Sequence, residues 1–333
     1  MKNSEQEQAQ PVGLDVGTSR IVVARVRQNK YEYDVQLNAF LVLPYSKLTE
    51  SLMLQGNVFH EVQGQEILVA GNDAEKFAEV FHVETRRPML KGVLNPHEPH
   101  SLAVERRIIA KMVGPAAVDG QKILFSVPAP VDGDEGSLAY HEESIRHILS
   151  ELGYDAKPIA EGLAVVFGEL GSSNYTGIGI SCGSGLCNVC LAVLSIPVIS
   201  FSTAKAGDYI DSHAAQATGD RATRLRVQKE RTFQFNGLTN DPVHNALTVY
   251  HDEVIRDLVE GLRAQIASTR NLPKLDHSVR VVLSGGTVLP KGFLERFEKA
   301  LRSSNFAVPI SDVSLAADPL HSTARGALMA ALC

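Results

Sequence analysis

The stretch that decides the fold is GLDVGTSRIVVARV, residues 13–26. It places an acid, a glycine turn and two hydroxyl side chains between two runs whose apolar residues alternate as in β-strands. A glycine at a tight turn lets backbone N–H groups approach an anion, because no Cβ atom intervenes. Asp15 would face that anion, where a carboxylate is useful only through a bound cation and its waters. The stretch therefore predicts a strand–turn–strand phosphate loop.

The overall composition is that of a soluble globular protein. Of its residues, 44% are hydrophobic and 21% are charged. The length of 333 residues favours two domains. A formal net charge of −6 argues against nucleic acid as a partner. We expect no transmembrane segment, because no run of about 18 apolar residues occurs. Residues 1–10 are polar, and we expect them to form a disordered tail. A chain of this size with four cysteines indicates a reducing compartment, and we expect the cytoplasm.

The opening architecture occurs a second time along the chain. Residues 176–195, TGIGISCGSGLCNVCLAVLS, again read as strand, glycine turn and strand, and residues 196–202 follow as a third strand. Residues 13–43 therefore look like a first copy of a three-stranded unit, and residues 176–202 like a second. Two similar lobes that face each other would present two phosphate loops across one cleft.

Other segments complete an alternating α/β pattern. We expect residues 31–43 to form one strand and residues 49–64 to be irregular. A long helix is predicted for residues 243–268 from its apolar stripe. Residues 280–286 predict a strand that enters a glycine turn, and residues 318–332 a last helix rich in small residues.

This order of elements resembles that of the actin-like ATPase superfamily. The segments RRPMLKG, AGDYID and SGGTVLPKG resemble those of MreB-type bacterial actins in wording and in order. The resemblance implies an α/β fold of two ribonuclease H-like lobes, with ATP or ADP and Mg²⁺ in a cleft between them. It implies residues 11–161 for lobe I, with a C-terminal helix, residues 318–333, packing back onto it, and residues 162–317 for lobe II.

The two phosphate loops match the superfamily unequally. The first matches well, and the resemblance implies that Asp15 positions Mg²⁺-bound water while the backbone of the turn holds the β- and γ-phosphates. The second reads SCGSGL at residues 181–186, where the family usually has Asp-x-Gly-Gly-Gly-Thr. Ser181 replaces the acid and Leu186 the threonine, so we expect weaker Mg²⁺ binding and slow hydrolysis. The residues implied in phosphate binding are Gly17, Thr18, Ser19, Gly183, Ser184 and Gly185.

The resemblance also implies contacts on the nucleoside side of the cleft. A turn after a buried strand would lie against adenine and ribose, and it consists of Gly285, Gly286 and Thr287. Glu230 falls where the family places a ribose-binding glutamate. Gly207 and Asp208 open a helix beside the phosphates, where N-terminal N–H groups favour anions.

Three further residues are candidates for catalysis. The position of the family's catalytic glutamate aligns with His141, and Glu142 is adjacent. Glu161 opens the first of two helices that connect the lobes in the family, residues 161–168, and residues 324–332 correspond to the second. Small residues let such helices approach closely and shear, which suits a hinge.

Two functions follow from the resemblance. The first is an ATP-dependent, head-to-tail filament of a bacterial cytoskeleton or scaffold, with slow hydrolysis. The alternative is a nucleotide-gated adaptor that does not polymerise, FtsA-like or chaperone-like, with other proteins as partners. The short segment between Asp208 and the long helix predicts a reduced upper subdomain in lobe II, which bears on this choice.

Overall fold

The computed structural model of the chain describes residues 10–130, 135–237, 239–270, 272–273, 277–304 and 306–333. The tail predicted for residues 1–10 lies outside them, except for Gln10. The strands are β1 (Val12–Val16), β2 (Arg20–Arg27), β3 (Lys30–Leu37), β4 (Phe40–Pro44), β5 (His60–Gln63), β6 (Glu66–Ala70), β7 (Met89–Leu90), β8 (Val93–Leu94), β9 (Gln121–Val127), β10 (Tyr154–Ala160), β11 (Gly177–Cys182), β12 (Cys187–Val193), β13 (Ile196–Thr203), β14 (Val279–Ser284) and β15 (Ile310–Leu315). The helices are α1 (Lys47–Gln55), α2 (Asn72–Phe81), α3 (Ser101–Val113), α4 (Glu135–Glu151), α5 (Glu161–Glu169), α6 (Gly207–Thr218), α7 (Ala222–Arg231), α8 (Pro242–Ser268), α9 (Phe293–Ser303) and α10 (Ser322–Leu332). No helix within these ranges is long and apolar enough to cross a bilayer.

The predicted repeat is confirmed as two five-stranded sheets of the same topology. The first has the order β10-β9-β1-β2-β3 and the second β13-β12-β11-β14-β15. In each sheet, the strand that precedes the glycine turn pairs antiparallel with the strand that follows it. Its other neighbour is a parallel strand from later in the chain. We call the part built on the first sheet lobe I and the part built on the second lobe II.

Strand β11 shows how the second lobe is packed. All six of its residues are buried, because helices cover both faces of the sheet. Ile178 and Ile180 enter the lobe II core with Leu258 of α8. On the opposite face, a Cβ atom added to Gly179 would overlap Gly162 O of α5, so only glycine lets this helix lie against the strand.

A small subdomain on lobe I differs from the sequence-based expectation. The strand predicted for residues 31–43 is wrong: β3 ends at Leu37, and β4 belongs to a separate sheet of order β4-β6-β5. Residues 49–64 are also not irregular, since they contain most of α1 and the whole of β5. Helix α1 is capped by Ser46, whose Oγ accepts from Thr49 N, but Met53 is its only buried residue. With so little buried surface, its apolar residues show no clear helical period.

The two lobes are connected where α5 crosses α10. A Cβ atom on Gly326 would overlap Ala164 O, so the two helices pack backbone against backbone. At the end of the crossing, Glu169 accepts a hydrogen bond from Ser322 Oγ at 2.7 Å and forms an ion pair with Arg325. Helix α10 also packs on β1 and β9 of lobe I. The crossing therefore holds the lobes at a short, fixed separation along this edge.

Gly326→Ala tests whether this crossing tolerates a side chain. We expect it to lower the free energy of unfolding by about 2 kcal/mol or more, because the added methyl group meets a backbone carbonyl that cannot rotate away. Gly136→Ala is the matched control, since a Cβ atom there meets nothing within 4 Å. The free energy of unfolding of Gly136→Ala should equal that of wild type or exceed it by up to about 1 kcal/mol, because glycine is unfavourable in helices. Urea unfolding curves measure both, and equal stabilities would contradict the prediction.

Candidate functional site

A cleft of about 450 Å³ lies between the lobes. Its walls are three turns: the one between β1 and β2, the one between β11 and β12, and the one that follows β14. This volume lies within the range of small-molecule sites. All the residues predicted to bind nucleotide line the cleft, namely Gly17, Thr18, Ser19, Gly183, Ser184, Gly185, Gly207, Asp208, Glu230, Gly285, Gly286 and Thr287.

The first loop is held in place from behind by Asn38. Asn38 Nδ2 donates to Gly17 O at 3.0 Å, and Asn38 N donates to Ser19 O at 2.9 Å. In front, Gly92 N donates to Thr18 Oγ1 at 3.0 Å. The sequence offered no signal for Asn38, because its role depends on a chain reversal after β3 that places it behind the turn.

The second loop repeats the hydrogen bond that closes the first. Gly183 N donates to Leu186 O at 3.0 Å, as Gly17 N does to Arg20 O at 3.0 Å. Outside the turn, Thr287 Oγ1 donates to Gly183 O at 2.7 Å. Two turns of different sequence are thus closed by the same backbone hydrogen bond, from the first glycine to the residue three positions later.

The N-terminus of α6 supports the second loop. Gly207 N donates to Gly183 O at 3.1 Å, and Asp208 N donates to Ser184 O at 2.8 Å. These two N–H groups are therefore engaged by the loop, while Ser184 Oγ is buried without a protein partner among the described residues. A buried hydroxyl of this kind favours a polar ligand.

The two loops touch each other across the cleft. A Cβ atom on Gly185 would overlap Thr18 Oγ1 and would lie 2.9 Å from Gly92 N. The segment of residues 86–92 is thus packed against both loops. Only glycine at position 185 allows the lobes to approach this closely.

Asp15 and Glu161 are two carboxylates that line the cleft and are each held by a serine. Asp15 Oδ1 accepts from Ser126 Oγ at 2.7 Å, and Ser126 Oγ itself accepts from Val16 N at 2.9 Å. Glu161 Oε2 accepts from Ser181 Oγ at 2.9 Å. Burial raises the pKa of Asp15, although the hydrogen bond from Ser126 opposes the shift. Burial and then the nearby Asp15 raise the pKa of Glu161.

The replacement of the family's acid by Ser181 has a structural consequence. Ser181 is buried and donates to Glu161, where a second acid would have repelled it. Asp15 of β1 and Glu161 at the start of α5 are thus each held by a serine hydroxyl at the cleft. Among the described residues, no group of three or more His, Cys, Asp or Glu is arranged to hold a metal ion.

The third wall of the cleft is the turn that follows β14. Gly285 has φ +94°, and a Cβ atom on it would overlap Cys182 O, so the position requires glycine. Gly285 N donates to Pro319 O at 2.8 Å, which ties the turn to the segment before α10. Lys229 was not among the predicted residues, yet it lines the cleft. Its ammonium group contacts Asp211 at 2.7 Å and donates to Gly207 O at 3.0 Å.

Two predicted catalytic positions do not line the cleft. His141 is buried within α4, neither ring nitrogen has a protein partner among the described residues, and burial lowers its pKa to about 4. Glu142 forms an ion pair with Arg146 on the same helix. Both residues lie nearly two turns beyond the start of α4 at Glu135, so the helix carries them away from the loops. Glu161 is the catalytic candidate beside Asp15 that the fold brings to the cleft.

Comparisons with known proteins agree with this geometry. A family model described as Volactin matches residues 11–331. A solved MamK double helical filament is similar at 20% identity and a TM-score of 0.73, covering 97% of this chain and 98% of that one. MreB5 of Spiroplasma citri bound to AMPPNP is similar at 13% identity and a TM-score of 0.67, covering 95% and 94%.

A third solved structure is the ethanolamine utilization protein EutJ from Carboxydothermus hydrogenoformans, at 16% identity and a TM-score of 0.53, covering 96% of this chain and 89% of that one. At these identities the likenesses show the fold, which is the actin-like ATPase fold of MreB type. A search of curated proteins found no match.

Glu105 of α3 completes the support behind the first loop. It is fully buried and accepts from Asn38 Nδ2 at 3.3 Å, while its Oε2 atom has no protein partner among the described residues. Burial raises the pKa of Glu105 from 4.5 to about 8, although the bond from Asn38 opposes the shift. The folded state therefore favours the protonated acid at neutral pH.

Glu105→Gln tests this assignment through the pH dependence of stability. The pKa of Glu105 is higher in the folded state than in the unfolded state. Its contribution to the free energy of unfolding is therefore fully present below the unfolded pKa and is lost as pH rises toward about 8. Relative to Glu105→Gln, the wild type should lose roughly 1.4 kcal/mol of unfolding free energy per pH unit in that window. Urea unfolding across the window measures the difference, and a difference that does not change with pH would contradict the prediction.

Proposed function

The chain belongs to the Volactin family, and from that premise we propose that it is a filament-forming, actin-like protein that binds ATP or ADP with Mg²⁺ in the interlobe cleft. The observation that carries the proposal is the contact, across a single cleft, of two glycine turns that are closed by the same backbone hydrogen bond. Such turns accept anions from two sides, as the phosphates of a nucleotide require. The similar MreB5 structure is bound to AMPPNP, which adds support by analogy.

The nucleotide roles follow the walls of the cleft. In the proposal, the turns at Gly17–Ser19 and Gly183–Gly185 bind the phosphates, and the unpartnered Ser184 Oγ donates to one of their oxygens. The turn at Gly285–Thr287 lies along the nucleoside. Glu230 provides a carboxylate for the ribose hydroxyls.

The residues present fit one magnesium ion held mainly from lobe I. Asp15 is the carboxylate at the phosphate loop, and Ser126 orients it. Magnesium, when bound, would neutralise charge on the β- and γ-phosphates. Mg²⁺ typically uses one or two carboxylates together with phosphate oxygens and waters, so Asp15 can serve without an acid at position 181.

Glu161 is the candidate general base. Its Oε2 atom accepts a hydrogen bond from Ser181 Oγ, and burial raises its pKa to about 8, so only its minor deprotonated fraction is a base at neutral pH. A base of this kind can accept a proton from an attacking water. We propose slow hydrolysis, because neutral Ser181 removes one charge that would help to hold the ion and water.

A second candidate is a nucleotide-gated adaptor that does not polymerise. It is favoured by the upper part of lobe II, where the described residues between α6 and α8 contain one helix, α7. We place filament formation first; in such a filament, a head-to-tail contact that does not close extends into a polymer. The similar MamK structure is a double helical filament, which supports this order by analogy. The cytoplasm is the proposed location for either function.

Asp15→Asn and Ser181→Ala together test the division of labour between the loops. We expect Asp15→Asn to weaken Mg²⁺-dependent ATP binding about tenfold or more, because a charged ligand is lost. Ser181→Ala removes one neutral hydrogen bond and should weaken Mg²⁺-dependent ATP binding by about two- to fivefold. Titration calorimetry with and without Mg²⁺ measures both variants. Equal effects would refute the proposal that Asp15 positions most of the metal.

Sedimentation distinguishes the two candidate functions. We expect the purified chain to pellet with ATP and Mg²⁺ and to remain in the supernatant after chelation of the metal. Asp15→Asn should pellet less at the same protein concentration, since it binds the metal nucleotide more weakly. A monomer or small closed oligomer at high concentration, with ATP bound, would reject the filament and leave the adaptor.

A further inference from the structure

Three ion pairs connect the lobes at the cleft. Arg20 of β2 contacts Glu230 of α7 at 3.1 Å. Arg87, which precedes β7, contacts Asp208 through both carboxylate oxygens at 2.7 and 2.8 Å. In these first two pairs, lobe I supplies the arginine and lobe II supplies the acid.

The third pair has the opposite polarity. Glu75 of α2, in the small subdomain of lobe I, contacts Arg226 of α7 at 2.9 Å. The Arg226 side chain is 18% exposed and lines the cleft, while that of Glu75 is 42% exposed. Neither Glu75 nor Arg226 is assigned a role in nucleotide binding, so this pair can be altered separately.

The positions of the pairs determine what they can do. The crossing of α5 and α10 fixes the lobes at one edge, and the pairs lie at the cleft, where the lobes meet again. Separation of the lobes there would have to break all three pairs and the contact between Thr18 and Gly185. Each pair is partly exposed and individually weak, so the lobes can separate and close again.

We propose that these three pairs form a latch that holds the lobes closed and sets the rate at which a bound nucleotide leaves. The proposal rests on nucleotide binding in the cleft. A nucleotide enclosed by turns from both lobes can leave only when the lobes part. Weakening the latch should therefore accelerate release, by a factor set by the lost interaction.

The release rate of a fluorescent ATP analogue tests the latch directly. The protein is loaded with mant-ATP and Mg²⁺ and then mixed rapidly with excess ATP. We expect Glu75→Gln to release the analogue about two- to fivefold faster than wild type, the range typical of one partly exposed pair. Higher ionic strength should also accelerate release from wild type, because salt screens exposed charges.

Charge exchange and a matched control separate the latch from general damage to α7. Arg226→Glu alone should accelerate release of the analogue. When it is combined with Glu75→Arg, the release rate should return to within about twofold of wild type, because the pair forms again with its charges reversed. Arg224→Gln is the control on the same helix, since Arg224 pairs with Asp220 inside lobe II at 3.0 Å. This control should release at the wild-type rate.

A distance measurement keeps the latch testable without nucleotide. Spin labels at Lys76→Cys and Arg221→Cys, on α2 and at the start of α7, report the separation of the lobes. Cys333→Ser removes the one exposed thiol among the described residues. Glu75→Gln should broaden the distance distribution toward longer values, and the charge exchange should narrow it again.

The two measurements have distinct failures. If neither mant-ATP nor unmodified ATP, followed by titration calorimetry, binds, the proposed function fails, and the interlobe distances still decide whether the latch exists. If mant-ATP binds but Glu75→Gln changes neither its release nor the distances, the latch is overturned while nucleotide binding stands. Faster release from Arg224→Gln would also overturn the latch, because that pair does not connect the lobes.

Discussion

The backbone contact between α5 and α10 is the constraint on which the rest of the structure depends. Ala164 O lies where a side chain at Gly326 would be, so the two helices cross without intervening atoms. Helix α5 packs on β11 of lobe II, and α10 packs on β1 of lobe I. One crossing thereby sets the separation of the two sheets, and the glycine turns that follow β1 and β11 meet across a single cleft.

In the proposed function, binding and turnover depend on different residues of that cleft. The backbone of both turns is intact and follows one hydrogen-bonding pattern, which is sufficient for an anion. Ser181 stands at the position of the second turn that corresponds to Asp15 of the first, and it orients Glu161 through a neutral hydrogen bond. Serine is neutral where Asp15 of the first turn is an acid, so in the proposed function the difference bears on the metal and the water.

The lobes are joined in two physically different ways. At the helix crossing, buried backbone contacts and the Glu169–Arg325 pair give a connection that salt cannot screen effectively. At the cleft, exposed arginine–carboxylate pairs make contacts that can break and reform. A firm edge opposite a reversible one is the arrangement that a hinge requires.

The sequence by itself determined the repeat, the two-lobed α/β fold and the residues of the three turns, because glycine turns between alternating strands are local features. It did not determine what lies behind or beside those turns. Chain reversals and helix packing bring three further residues to the site, namely Asn38, Glu105 and Lys229. Such long-range placement leaves no local pattern in the sequence. The tertiary structure alone placed His141 away from the cleft and Glu161 within it, because a helix direction decides which side chains reach a site.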